Sequence, residues 1–323
     1  KMGFYIPGYE IQLKATSKFY TYVISGGKIY KIDPDGYEVW ESTNNASPQS
    51  IVMDSVGNLF VSSYNDNEIK KIDSSTGDEI TSEQGWPFNG VYQSRNLQID
   101  SNDNIYVANG DYPIAIKKID PNGNTLWTSQ EENYRVKNIT VDEINGFVYY
   151  TTQAPDLIRK VDISTGNEIA SQSPFYTWTG DGRIGPLASD SNGNVYLGVG
   201  YRERAIAFDI NGNELWNIRI ASNCQDFALS PDENYIYVAS IDAVEKLNVS
   251  DGSEIWAFYV GDQPGYAVAV DTYGYIYAGG RLYNSIAPIR KLNPDGSEIT
   301  SENWPMTNWN GGEKILDLII STF

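Results

Sequence analysis

The chain has 323 residues, 42 acidic against 23 basic, one cysteine and no histidine. A net charge of −19 argues against nucleic acid or an anionic membrane surface as a general partner, because like charges repel. Without histidine there is no Ser-His-Asp triad, no histidine-based zinc site and no Cys–His catalysis, and the single Cys224 rules out an internal disulfide.

Taken in chain order, residues 1–30 contain no apolar run like that of a signal peptide, and residues 1–15 read as an N-terminal extension or a first strand. From Lys31 one phrase returns seven times: Lys, an aliphatic, Asp or Asn, then a short turn ending in Gly. Lys31-Ile32-Asp33 runs to Gly36, Lys71-Ile72-Asp73 to Gly77, Lys118-Ile119-Asp120 to Gly123 and Lys160-Val161-Asp162 to Gly166. Ala207-Phe208-Asp209, Lys246-Leu247-Asn248 and Lys291-Leu292-Asn293 complete the set. The mean spacing, about 43 residues, is that of one four-stranded propeller blade.

Between the copies lies a second phrase, an aliphatic run ending in Asp, an Asn/Gly turn, then a β-rich run, as in Met53-Asp54, Gly57-Asn58 and Leu59-Phe60-Val61. Alternating apolar residues around such a turn signal a hairpin. Its strands are A and B, the Lys-Ile-Asp phrase ends strand C, and strand D opens on Trp40, Trp127, Trp216 or Trp256. In the other three blades Thr81, Ala170 and Thr300 stand at that place, with Trp86, Trp178 and Trp304 later. The expected fold is all-β: a seven-bladed β-propeller of four-stranded antiparallel blades, one domain over residues 16–323. The first A strand is either 11–15 or, preferably, Ile315–Ile320, which would close the ring between the two ends of the chain. No aliphatic run is long enough to cross a bilayer, so membrane insertion is not expected.

The alternation of Asp190-Ser-Asn-Gly-Asn-Val-Tyr-Leu197 with Lys118-Ile-Asp-Pro-Asn-Gly-Asn-Thr-Leu-Trp127 resembles the PQQ-like propeller repeat. The segment Asn248-Val-Ser-Asp-Gly-Ser-Glu-Ile-Trp256 is similar to the tryptophan-docking motif of that superfamily. In quinoprotein dehydrogenases the cofactor pocket uses adjacent cysteines and calcium-binding acids, and propeller lyases of similar repeat rely on histidine. This chain has neither the cysteine pair nor a histidine, so the resemblance implies a non-catalytic member with no cofactor. Asp100-Ser-Asn102-Asp-Asn104 and Asp190-Ser-Asn192-Gly-Asn194 place oxygens at alternate positions as calcium loops do, but lack the distal Glu and sit at hairpin turns, so no metal site is assigned.

A–B and C–D turns share one face of a propeller, and here they are short and acidic. The opposite face carries the long connections, 83–96, 173–186, 200–204, 280–285 and 303–313, and variable loops on a rigid scaffold are where function concentrates. Six of the nine arginines lie in such connections: Arg95, Arg135, Arg183, Arg202, Arg204 and Arg281. Tyr176, Tyr201 and Tyr283 accompany them, with Trp86, Trp178, Trp304 and Trp309. Arginine with aromatics is the composition of interface hot spots and also suits sugar rings; the alternative is that each aromatic only plugs its loop against a blade. The expected partner is a protein or glycan. Richness in Asn, Ser, Thr and Tyr points to an extracellular, cell-surface or virion-exposed setting, with a propeller enzyme or an intracellular or periplasmic assembly scaffold as the alternatives.

Overall fold

The computed structural model describes residues 19–42, 47–83, 85–110, 115–130, 135–180, 182–259, 266–280, 288–301, 303–306, 309, 311 and 314–321. The proposed extension at 1–15 lies outside them. Seven antiparallel sheets form a ring, and six of them have four strands. The seventh has three, and its fourth place is held by two isolated bridges, Leu292 to Glu298 and Ile289 to Met306. A 3-10 turn, Ala170–Gln172, is the one helical element among the described residues. Strand C ends at each Asp or Asn of the repeat or one residue before it, as the phrase requires.

The ring closes with the C-terminal strand. Ile315–Ile320 pairs antiparallel with Thr21–Ser25, Thr21 facing Ile320 and Val23 facing Leu318, so it is the inner strand of blade 1. Each inner strand touches the next around the ring, and Ala267–Val270 of blade 7 meets Ile315–Ile320 of blade 1. Apolar side chains of adjacent blades fill the joints: Ile315, Leu318, Tyr30 and Tyr277 share one cluster between blades 7 and 1. Each strand B contributes a large buried ring to this packing: Tyr22, Phe60, Tyr106, Tyr149 with Tyr150, Tyr196, Tyr237 and Tyr277.

Three kinds of polar fastener reinforce the joints. At the outer edge an indole N–H reaches across to the carbonyl of the residue after the repeat's Asp or Asn in the next blade. Trp40 donates to Ser74 O at 3.1 Å, Trp127 to Ile163 O at 2.9 Å, Trp216 to Val249 O at 2.8 Å and Trp256 to Pro294 O at 3.2 Å. In blades 2 and 7 the later Trp does the same, Trp86 to Pro121 O at 2.9 Å and Trp304 to Pro34 O at 3.2 Å. Blade 4 has no such Trp: Lys160 Nζ donates to Ile210 O at 2.8 Å, and Phe175 covers Gly212. The turn glycine is required because the ring lies on it: at Gly77, with φ +81°, a Cβ would stand 2.8 Å from Trp40.

On the turn face, side chains bracket neighbouring A–B turns. Ser55 binds Asp103, Ser101 binds Glu143 and Ser191 binds Glu233. Within those turns Asp100 and Asp190 cap their own backbone and accept from Tyr106 and Tyr196 hydroxyls at 2.8 Å. Both of the carboxylates considered as calcium ligands are therefore engaged in turn hydrogen bonds.

The third fastener runs along the inner strands. Asp317 Oδ2 accepts from Ile51 N and Ser50 Oγ, and Ser50 Oγ accepts from Leu97 N. Asn96 Oδ1 accepts from Ile139 N, and Asn138 Nδ2 donates to Gly185 O. Asp226 Oδ2 accepts from Val268 N. These latches join blades 1 to 5 in series and blade 6 to blade 7. Beside them the ladder between strands A and B shifts register in blades 1, 2, 4, 5 and 6, at Leu316, Gln49, Lys137–Asn138, Gly185–Pro186 and Gln225. A bulge breaks pairing and re-aims side chains, which is how one short strand supplies both a latch and an unpaired neighbour.

Candidate functional site

The bulged starts of the inner strands lie on the loop face, and in blades 4 to 6 they line the second of two adjoining clefts. The first, about 720 Å³, is lined by Trp178, Gly180, Tyr201, Arg202, Arg204 and Arg219 with Glu203. The second, about 510 Å³, is lined by Lys137, Asn138, Arg183, Gly200, Tyr201 and Gln225 over a floor of Ile184, Pro186 and Cys224. Tyr201 belongs to both, with its side chain 77 % exposed and its backbone at φ 62°. Its amide is pinned to Asn223 Oδ1 at 2.6 Å, so the B–C connection is anchored while the ring stays free.

Trp178 is half-buried, packed on the Phe175–Phe208 cluster, and its indole N–H is enclosed without a hydrogen-bond partner. Gly180 makes room for the ring, since a Cβ there would lie 2.6 Å from it. Arg204 donates to Asn217 at 2.7 Å, and Arg219 pairs with Glu203 at 2.6 Å. Arg183 is exposed and has a neutral neighbour, the Gln153 carboxamide.

Charge is unevenly distributed here. Burial lowers the Lys137 pKa, and the positive fields of Arg183, Arg95 and Arg135 lower it further, while Asp156 opposes them. Burial in turn raises the Asp156 carboxyl, and one of its oxygens is enclosed without a partner. Arg95 lies over the Tyr64 ring, 5.2 Å from its centroid. Lys137 and Arg183 thus share the field of one carboxylate, Asp156, while Arg95 and Arg135 add positive charge near Lys137.

The structure brings together Trp178, Arg183, Tyr201, Arg202 and Arg204 of the expected set, with Arg95 at the next inner strand. Tyr176 is only partly accessible, its ring tilted against Phe208 with centroids 4.3 Å apart. Trp86, Trp304 and Trp309 require correction as partner anchors, being 4 %, 3 % and 5 % exposed. The first two are docking tryptophans, and the third packs edge-on against Tyr30 at 4.8 Å between blades 7 and 1. Arg281 and Tyr283 lie outside the described residues. Lys137 and Gln225 were missed by sequence reasoning. The available signal was the break in apolar alternation at Lys137-Asn138 within Arg135–Asp142, which marks the bulge.

Residues 25–258 match the family model described as outer membrane protein assembly factor BamB, a PQQ-like repeat family. The chain belongs to that family. A comparison with curated proteins found no match. The quinone for which the repeat is named does not fit the residues present. Cys224 is buried and has no adjacent cysteine, and the inner-strand acids Asp226 and Asp317 are committed to backbone latches.

Proposed function

We propose that this propeller is a non-catalytic interaction module that binds a partner protein through the loop face of blades 4 to 6, as part of a surface or envelope assembly. One observation carries the reading. The turn face is occupied by brackets between blades, whereas the loop face exposes Tyr201 and Arg183 to solvent. Aromatic and arginine side chains on a rigid frame bind with little ordering cost. The description of the family as an assembly factor favours a protein partner. The lack of histidine and of a cysteine pair supports a role without turnover. Composition rich in Asn, Ser, Thr and Tyr supports a setting outside the cytoplasm, on a cell or virion surface.

The test is site-specific photocrosslinking in the cells that make the protein. A photoreactive phenylalanine analogue replaces Tyr201 on the loop face, or Val56 on the turn face, which is 78 % exposed. A discrete protein adduct from position 201 and none from position 56 is expected. Adducts from position 56 alone would reverse the assignment of faces. The Trp178–Tyr201 cleft also suits a sugar ring, and retention of the wild type but not Tyr201→Ala on a glycan array would favour that second reading.

A further inference from the structure

We propose that the second cleft, between Lys137 and Arg183, is a carboxylate-binding pocket that receives an acidic segment of the partner protein. The inference deepens the proposed function and rests on it. Its first support is the lining itself, which holds Lys137, Arg183, Asn138, Tyr201 and Gln225 and no carboxylate. Acidic residues outnumber basic ones 42 to 23 in the whole chain, so an acid-free cleft with two cations runs against composition.

The second support is that internal neutralisation is incomplete. Among the described residues none of Lys137, Arg183, Arg95 and Arg135 forms an ion pair, although Lys70, Lys71, Lys118, Arg159, Arg219 and Arg290 all do. Keeping like charges together costs stability unless a counter-charge arrives from outside. Asp156 sets one negative charge against the four, its field reaches both Lys137 and Arg183, and among the described residues it forms no ion pair within 4 Å.

The third support is position. The bulge at Lys137–Asn138 and that at Gly185–Pro186 lie on adjacent inner strands joined by the Asn138–Gly185 latch, which holds the rim between the two cations. Arginine can grip a carboxylate with two N–H groups, while lysine adds a compact positive charge. Tyr201 bridges to the arginine-rich first cleft, so an acidic side chain at Lys137 and Arg183 can be followed along the chain by an apolar residue near Trp178.

The experiment is binding of a fluorescent Glu/Asp-rich peptide containing one Leu to the full chain, read by anisotropy. Its arms are the same peptide with an amidated end, the same sequence with Gln and Asn for the acids, and an acidic oligosaccharide. Lys137→Gln/Arg183→Gln should weaken binding at least about tenfold, and raising salt to about 0.5 M should weaken it similarly. Lys28→Gln, at a partly exposed pair with Glu41 outside the cleft, is the control and should leave peptide binding unchanged. An equal melting temperature for the double variant confirms that loss is not unfolding. The amidated peptide binding as well as the free one assigns the contact to side-chain carboxylates; loss on amidation assigns it to the chain end, and both fit the pocket. Equal binding of the neutral peptide, undiminished binding by the double variant, no binding at low salt, or preference for the oligosaccharide would overturn the proposal. Crosslinking from position 201 can still succeed in each of those cases, so the two readings fail separately.

Discussion

A tryptophan in a loop of this protein is either a joint or a surface, and its neighbours decide which. Trp304 loses its water to Tyr277, Met306 and Trp309 and gives its N–H to Pro34 O across the ring closure. Trp178 stays half-exposed beside Tyr201. Truncating a buried aromatic typically costs about 3–5 kcal/mol. Trp304→Ala is therefore expected to lower the melting temperature by many degrees, while Trp178→Ala should shift it little; calorimetry on the two variants checks this.

Three carboxyls, the buried Glu245 and the half-buried Asp226 and Asp317, have a consequence for pH. Burial raises Asp226 to about 7, with Asp317 adding to the shift, raises Asp317 to about 6, and raises Glu245 to about 7. Each accepts backbone N–H groups: Asp226 from Phe227 and Val268, Asp317 from Ile51 and Leu318, Glu245 from Ala221. Those bonds favour the ionised form, and burial outweighs them. A carboxyl whose folded pKa exceeds its unfolded one stabilises the fold below the unfolded value and loses that contribution as pH rises through the folded value. Melting temperature should fall between about pH 4 and about pH 7, and Asp317→Asn, which can still accept from Ile51 N, should flatten that slope. A slope unchanged in Asp317→Asn and Asp226→Asn would locate the pH dependence elsewhere.

At the scale of elements, the strand Ile315–Ile320 does more than fill a place. It buries Ile315 and Leu318, pairs with Thr21–Ser25, and carries Asp317, the first member of the latch series. Removing residues 313–323 leaves a sheet edge and an apolar joint open. The truncated chain should lose its single cooperative transition or aggregate, as seen by thermal scanning with light scattering. A transition matching that of the full chain would mean that the ring does not depend on closure.

For the whole molecule, charge acts in two directions. A net charge of −19 repels itself, and salt screens that repulsion. Adding salt to about 0.5 M should raise the melting temperature while weakening the acidic-peptide contact at Lys137 and Arg183, because one effect is relief of repulsion and the other is loss of attraction. Peptide binding that strengthened with salt would mean that apolar contact, and not charge, holds the peptide.

The sequence by itself determined the blade count, the order of strands and the ends of strand C, because the sevenfold Lys-Ile-Asp phrase and the Asn/Gly turns are local signals repeated in register. It also carried the docking role of Trp40, Trp127, Trp216 and Trp256, which sit at a constant distance from their turns. Only the tertiary structure decided that Trp86, Trp304 and Trp309 are buried. Their distance from the repeat varies, and burial depends on how a long D–A segment folds back onto the next blade. Only the tertiary structure, likewise, placed Lys137 beside Arg183. Those residues are far apart in the chain, and a bulge in one inner strand meets a bulge in the next only once the ring has formed.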